Sequence, residues 1–136
     1  MSKRSWFIAA LLLIAGVALL LSVRSFSAPP PAISGVTVVA SCQEYNGPCP
    51  AKLTFTATVT VTPPMSFNFQ WERSDGAKSK LKVMHVPAGH PPTVNIVEEW
   101  QLGSKGKQET VSEKIRVRSG NVDLTSAPAT VVVNCK

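Results

Sequence analysis

Residues 52–61 read KLTFTATVTV, with apolar Leu53, Phe55, Ala57, Val59 and Val61 alternating with Thr54, Thr56, Thr58 and Thr60. Successive side chains of an extended chain point to opposite faces, so a period of two predicts a strand with one buried and one threonine-covered face. Threonine and valine, branched at Cβ, favour that geometry over a helix.

The same period recurs on the C-terminal side. In MSFNFQWER (65–73) it turns Met65, Phe67, Phe69 and Trp71 inward, and in TVNIVEEWQL (93–102) Val94, Ile96, Trp100 and Leu102, with Glu98 as a misfit. EKIRVR (113–118) places Ile115 and Val117 inside and Lys114, Arg116 and Arg118 outside, and ATVVVNC (129–135) closes with Val131, Val133 and Cys135 on one side. An opening strand near Val36–Ala40 and a weaker one near Lys80–Val86 complete the set. Turn-forming residues separate the runs: Asn46-Gly47-Pro48, Pro63-Pro64, Asp75-Gly76, Pro91-Pro92, Gly103 to Gly106 and Ser119-Gly120-Asn121. No segment of useful length repeats at the helical period. About seven short strands in some hundred residues predict an all-β, antiparallel sandwich of the immunoglobulin type. Its expected core is centred on Phe55, Phe69, Trp71 and Trp100.

Upstream, the chain has a different character. After MSKR comes an uncharged apolar run, Trp6 to Val23, which reads as an export signal or signal-anchor helix within residues 1–27. The run is longer than a usual signal core and just reaches spanning length. Cleavage after Ser27 would place Ser25 and Ser27 at the two small-residue positions. Cleaved secretion and an uncleaved anchor with its N-terminus in the cytoplasm both fit, and Lys3 and Arg4 against the single Arg24 set that orientation. Residues 28–32, APPPA, form a stiff spacer, and residues 33–136 form the domain. Either way the domain is expected outside the cytoplasm, secreted, periplasmic or membrane-anchored.

The chain has 136 residues and a formal net charge of +6. Setting aside Lys3, Arg4 and Arg24 leaves an excess of only three positive charges, too few and too scattered for a nucleic-acid partner. Catalysis is not expected either. A thiol nucleophile needs a base within hydrogen-bond reach, and the only histidines, His85 and His90, lie at a weak strand edge and in the loop PAGHPP. Zinc wants closely paired ligands, whereas Cys42 and Cys49 are separated by six residues with no histidine pair nearby. Phosphate-cradling glycine loops and calcium-type Asp/Asn loops are missing from the sequence, so no cofactor or metal is expected. Asp75 with Glu72 is first a turn and a strand end. Lys78, Lys80 and Lys82 alternate as on one face of an edge strand, where lysines discourage edge-to-edge pairing. Three cysteines in an exported chain allow one disulfide and one leftover thiol. The residues themselves leave Cys42–Cys49, Cys42–Cys135 and Cys49–Cys135 open, because all three thiols are expected near one pole of the sandwich.

Four segments taken in order, YNGPCPAKLTFTATVTV, FQWERSDGA, EWQLG and a last strand ending VVVNC, resemble a family of bacterial exported immunoglobulin-like domains. The resemblance covers about Val36 to Cys135. It implies a β-sandwich with a disulfide between Cys49 and Cys135; the chain departs from the pattern in carrying Cys42, a free thiol if that pairing holds. A bond closing so long a loop is worth about 4–5 kcal/mol in the chain-entropy model. Family resemblance implies no general chemistry, only accessory or display roles. The expected function is therefore non-catalytic binding or display at the cell envelope, toward a protein or glycan, with a passive structural module as the alternative. Membrane contact is expected only through an uncleaved N-terminal segment. Loops on a rigid scaffold are the natural contact points, here Ser74–Ser79 and Pro87–Pro92, with Asp75, Lys78, Lys80 and His90.

Overall fold

The computed structural model describes residues 24–25 and 32–136. Nearly all of the N-terminal signal or anchor (1–27) and the proline spacer (28–32) thus lies outside the described residues. The rest is all-β. Nine strands follow in order: β1 (Ile33–Ala40), β2 (Glu44–Gly47), β3 (Ala51–Val61), β4 (Met65–Arg73), β5 (Lys82–Val86), β6 (Thr93–Leu102), β7 (Gln108–Ser119), β8 (Val122–Thr125) and β9 (Ala129–Cys135). Among the described residues no helix is long and apolar enough to cross a membrane.

The strands form two sheets. One has the order β1-β3-β6; the other runs β2-β9-β7-β4-β5, with β8 also paired to β7. Nine strands appear where about seven were expected because two short ones, β2 and β8, form in segments between the expected runs. After Ala40 the chain leaves β3 and re-pairs as β2, parallel to β9, with Glu44 opposite Val132 and Gly47 opposite Cys135. Parallel pairing here departs from the otherwise antiparallel pattern. At the other end, β8 and β9 pair successively with β7 and are separated by Ser126 to Pro128, where proline withholds a donor from the ladder. Ser126 bridges the break: its Oγ accepts from the Ile115 N–H, and its own N–H donates to the Ile115 carbonyl.

The KLTFTATVTV strand is central in its sheet. It pairs with β1 on one side and over ten residues with β6 on the other, without a register shift in the latter. Leu53, Phe55, Ala57, Val59 and Val61 are buried, as the alternation requires. They join Phe67, Phe69, Trp71, Val94, Ile96, Trp100, Ile115, Val117, Val131 and Val133 in one core between the sheets. Met65 and Leu102, expected inside, are only partly buried, since each lies at a strand end. β1 starts earlier than expected, and Ile33 is itself a core residue.

The weak strand is the main correction. β5 begins at Lys82, so Lys78 and Lys80 do not lie on it, and Lys78 meets Glu72 through an isolated bridge. Directly opposed residues share a face. Lys82 opposite Phe69 and Met84 opposite Phe67 therefore take the inner side, while Val83 opposite Asn68 takes the outer. Lysine on the inner side is tolerated because β5 is the last strand of the wider sheet, and Lys82 remains exposed. An inward charge on an edge strand still discourages pairing with another chain.

Candidate functional site

The four motif segments meet at one end of the core. Cys49 and Cys135 form the disulfide, with Cα atoms 5.4 Å apart, delivered by the turn before β3 and the end of β9. Gly103, just after β6, packs its backbone on the two sulfurs. A Cβ there would lie 2.7 Å from Cys135 Sγ and 2.9 Å from Cys49 Sγ, and its φ of +98° disfavours any side chain. Tyr45 closes the turn, its hydroxyl donating to the Pro48 carbonyl at 2.6 Å.

Cys42 is free and half-buried. Of the three pairings left open, the structure holds Cys49–Cys135 and leaves Cys42 outside the bond. Val132 donates to the Gln43 carbonyl, three residues short of Cys135 along β9, or about 10 Å at strand rise. That offset exceeds the Cα separation a disulfide tolerates. We predict that Cys42→Ser keeps the Cys49–Cys135 bond and changes stability by less than about 1 kcal/mol. Peptide mapping without reductant and a thermal melt check this; a lost or re-paired bond would refute it.

The most unusual side chain of the domain lies on β7. The inward parity of β7 that buries Val111, Ile115 and Val117 also buries Glu113, only 1% exposed. Neither carboxylate oxygen has a hydrogen-bond partner among the described residues. Arg73, directly opposite on β4, approaches to 3.8 Å, stands 3.7 Å from Glu98 and lies over the Trp100 ring at 4.9 Å. The misfit Glu98 thus answers Arg73. Burial raises the Glu113 pKa to about 7, outweighing the opposing pull of Arg73. Alternation alone put Glu113 inward; its partner needed the β4–β7 register. The cluster is tightly packed and its guanidinium already engaged, which suits holding the fold.

The loop residues expected to meet a partner do not form one surface. Met65 pairs with Val86, placing Pro87–Pro92 at one end of the β4–β5 hairpin, whereas Ser74–Ser79 closes the other. Each named residue has a local role or none. Asp75 Oδ1 accepts from the Ala77 N–H, His90 N–H donates to the Pro87 carbonyl, and Lys78 is 3.9 Å from Glu72. Lys80 is exposed.

The outer face of β5, β4 and β7 holds a shallow trough instead. One pocket of about 160 Å³ is lined by Asn68, Gln70, Leu81, Arg116 and Arg118. Another of about 360 Å³ shares Asn68 and Arg118 and adds Val83, Ser66 and Gly120. Leu81 and Val83 are 61% and 56% exposed, among the largest apolar exposures of the domain. Register assembles the row: Val83 faces Asn68, Asn68 faces Arg118, and Arg118 faces Asp123. Asp123 accepts two hydrogen bonds from Arg116, at 2.8 and 2.6 Å, and one ion pair from Arg118 at 3.3 Å. The Arg116 hydrogen bond holds the Asp123 carboxyl below its usual range. Arg116 and Arg118 point outward as the alternation predicts, but the apolar rim beside them does not follow from it. The available signal was Leu81-Lys82-Val83 beside two outward arginines.

At the end of the trough Ser66 Oγ and His85 Nδ1 are 2.8 Å apart, a cross-strand pair on the exposed face. A nucleophile and a base are in reach, but among the described residues no carboxylate is hydrogen-bonded to His85 to orient it. No group of three metal-ligating side chains occurs among the described residues. Comparison with protein-family models, with curated proteins and with solved structures gives no match.

Proposed function

We propose that the chain is an exported immunoglobulin-like β-sandwich, of the bacterial family its motifs resemble, whose work is non-catalytic binding at the cell envelope. The observation that carries this reading is the trough, where two large apolar side chains stand exposed beside a fixed pair of arginines on a rigid sheet. Exposed apolar groups rimmed by polar ones are the usual composition of an interaction surface. The disulfide supports an oxidising, extracytoplasmic setting. In this reading residues 1–27 direct export or anchor the chain, residues 28–32 space the domain from the membrane, and the partner is a protein.

The test is photo-crosslinking in cells that make the protein. A crosslinker at Val83 is expected to give a discrete adduct, whereas one at Val39, equally exposed on the outer face of the other sheet, is not. Identical adduct patterns at both positions, or none at Val83, would remove the reading. N-terminal sequencing of the exported form decides between cleavage and anchoring.

A further inference from the structure

The geometry points to a ligand class for the trough: an extended peptide that places a carboxylate, from an aspartate or glutamate side chain, against Arg116 and Arg118 and an adjacent apolar side chain against Leu81 and Val83. This rests on the binding reading above and deepens it.

Charge comes first. The smaller pocket is lined by two guanidiniums, two amides and one leucine, with no acid in its lining. Asp123, on β8, sits outside that lining and braces Arg116 through Nε and Nη2. A guanidinium held on one edge presents its remaining donors in a fixed orientation, so little side-chain freedom is lost when a second carboxylate arrives. Arg118 approaches Asp123 through Nε at 3.3 Å and itself lines the pocket. Two cations against one anion leave the trough one positive charge in excess. Electrostatic complementarity therefore selects an anion.

Shape and surroundings select among anions. Gln70 donates its amide N–H to the Ser79 carbonyl, which fixes the side chain and leaves its oxygen as an acceptor for a neighbouring peptide N–H. Asn68 has no side-chain partner among the described residues and offers both a donor and an acceptor at the junction of the two pockets. The apolar component is aliphatic, supplied by Leu81 and Val83. The described tryptophans and phenylalanines are all buried and Tyr45 lies on β2 outside both pocket linings, so among the described residues the trough presents no exposed aromatic ring for a sugar to stack on. Alternating apolar and acidic side chains on an extended peptide match a sheet face whose rows alternate Val83–Asn68–Arg118 with Gln70–Arg116.

The test uses the full chain in detergent and an array of capped tripeptides, acetyl-X-Glu-X-amide and acetyl-X-Gln-X-amide with X as Ala, Val, Leu or Phe. Glu peptides with aliphatic X are expected to bind about tenfold or more tightly than their Gln counterparts, as a charge-assisted hydrogen bond implies. Arg118→Gln should erase that preference, and Val83→Ser should weaken both series. Both residues are surface-exposed, so unchanged melting temperatures will show the variants folded. Equal binding of Glu and Gln peptides would overturn the carboxylate assignment while leaving the trough as a binding surface. Binding of an oligogalacturonate but of no peptide would overturn it in favour of acidic glycans. Failure of every probe would also overturn it, and the Val83 crosslink then shows separately whether the binding reading survives.

Discussion

Gly103→Ala is expected to destabilise the domain by about 3–5 kcal/mol and to leave the Cys49–Cys135 bond strained or unformed. Two costs coincide at this position. A residue with a Cβ resists the φ of +98°, at about 1–2 kcal/mol. The added atom would also meet both sulfurs at 2.7 and 2.9 Å, well inside any real contact. The chain must move its backbone or give up the bond, and losing a native disulfide costs about 2–5 kcal/mol. The melting temperature should fall by more than about 10 °C. Thiol titration of the denatured variant should reveal a fraction with three free thiols where the parent has one. Gly76 supplies the comparison. Its φ is +90°, but a Cβ added there would have nothing within 4 Å, so Gly76→Ala should show the backbone cost alone. If the two variants proved equally stable, close packing on the disulfide would not be what Gly103 provides.

Removing the cation at Arg73 should be comparably damaging, and its cost should depend on pH. Glu113 is held by Arg73 alone among cations, while Glu98 and Asp75 both push its pKa upward. Breaking a buried pair from one side leaves an uncompensated charge and costs about 3–5 kcal/mol. In the parent, burial raises the folded-state pKa from 4.5 to about 7, so folding favours the protonated acid. The stabilisation from this group is complete below about pH 4.5. It is lost as pH rises through about 7, a change on the order of 3 kcal/mol. Arg73→Met removes the one opposing attraction, so the decline should continue to higher pH and the penalty should be larger at pH 8 than at pH 5. Glu113→Gln should flatten the parent's slope across this window, and in the double variant much of the Arg73→Met penalty at pH 8 should disappear. Urea titrations at pH 5, 6, 7 and 8 measure all four proteins. A parent stability that does not fall between pH 5 and 8, or that Glu113→Gln leaves unchanged, would rule this account out.

Both positions belong to segments that stand out in the sequence, yet what they do is only partly legible there. WQLG announces a turn after a strand; that its glycine lies on a disulfide required the ends of β6 and β9 to be brought together. WERSDGA announces a strand end and an Asp-Gly turn; that its arginine covers Trp100 and faces Glu113 required the register of β4 with β7. Glu98 reads as a misfit because alternation is a one-strand property, and its explanation sits on another strand. Lys82 of the edge strand β5 takes the inner side for a related reason. At a sheet edge the inner side need not be covered, so the usual inference from charge to outward direction fails.

Alternation of small-period apolar and threonine residues determined, by itself, the all-β class, the inward set of β3 and most of the core, because side-chain direction along a strand is local geometry. Punctuation by proline, glycine and asparagine placed the turns, since these residues restrict or free the backbone where they stand. Strand pairing was decided only by the tertiary structure. The motif resemblance implied the Cys49–Cys135 bond, but which strand faces Glu113, where the two candidate loops fall and which apolar residues stay exposed all depend on contacts between residues distant in sequence. No local preference encodes those distances; they follow from how two sheets of unequal width close over one core.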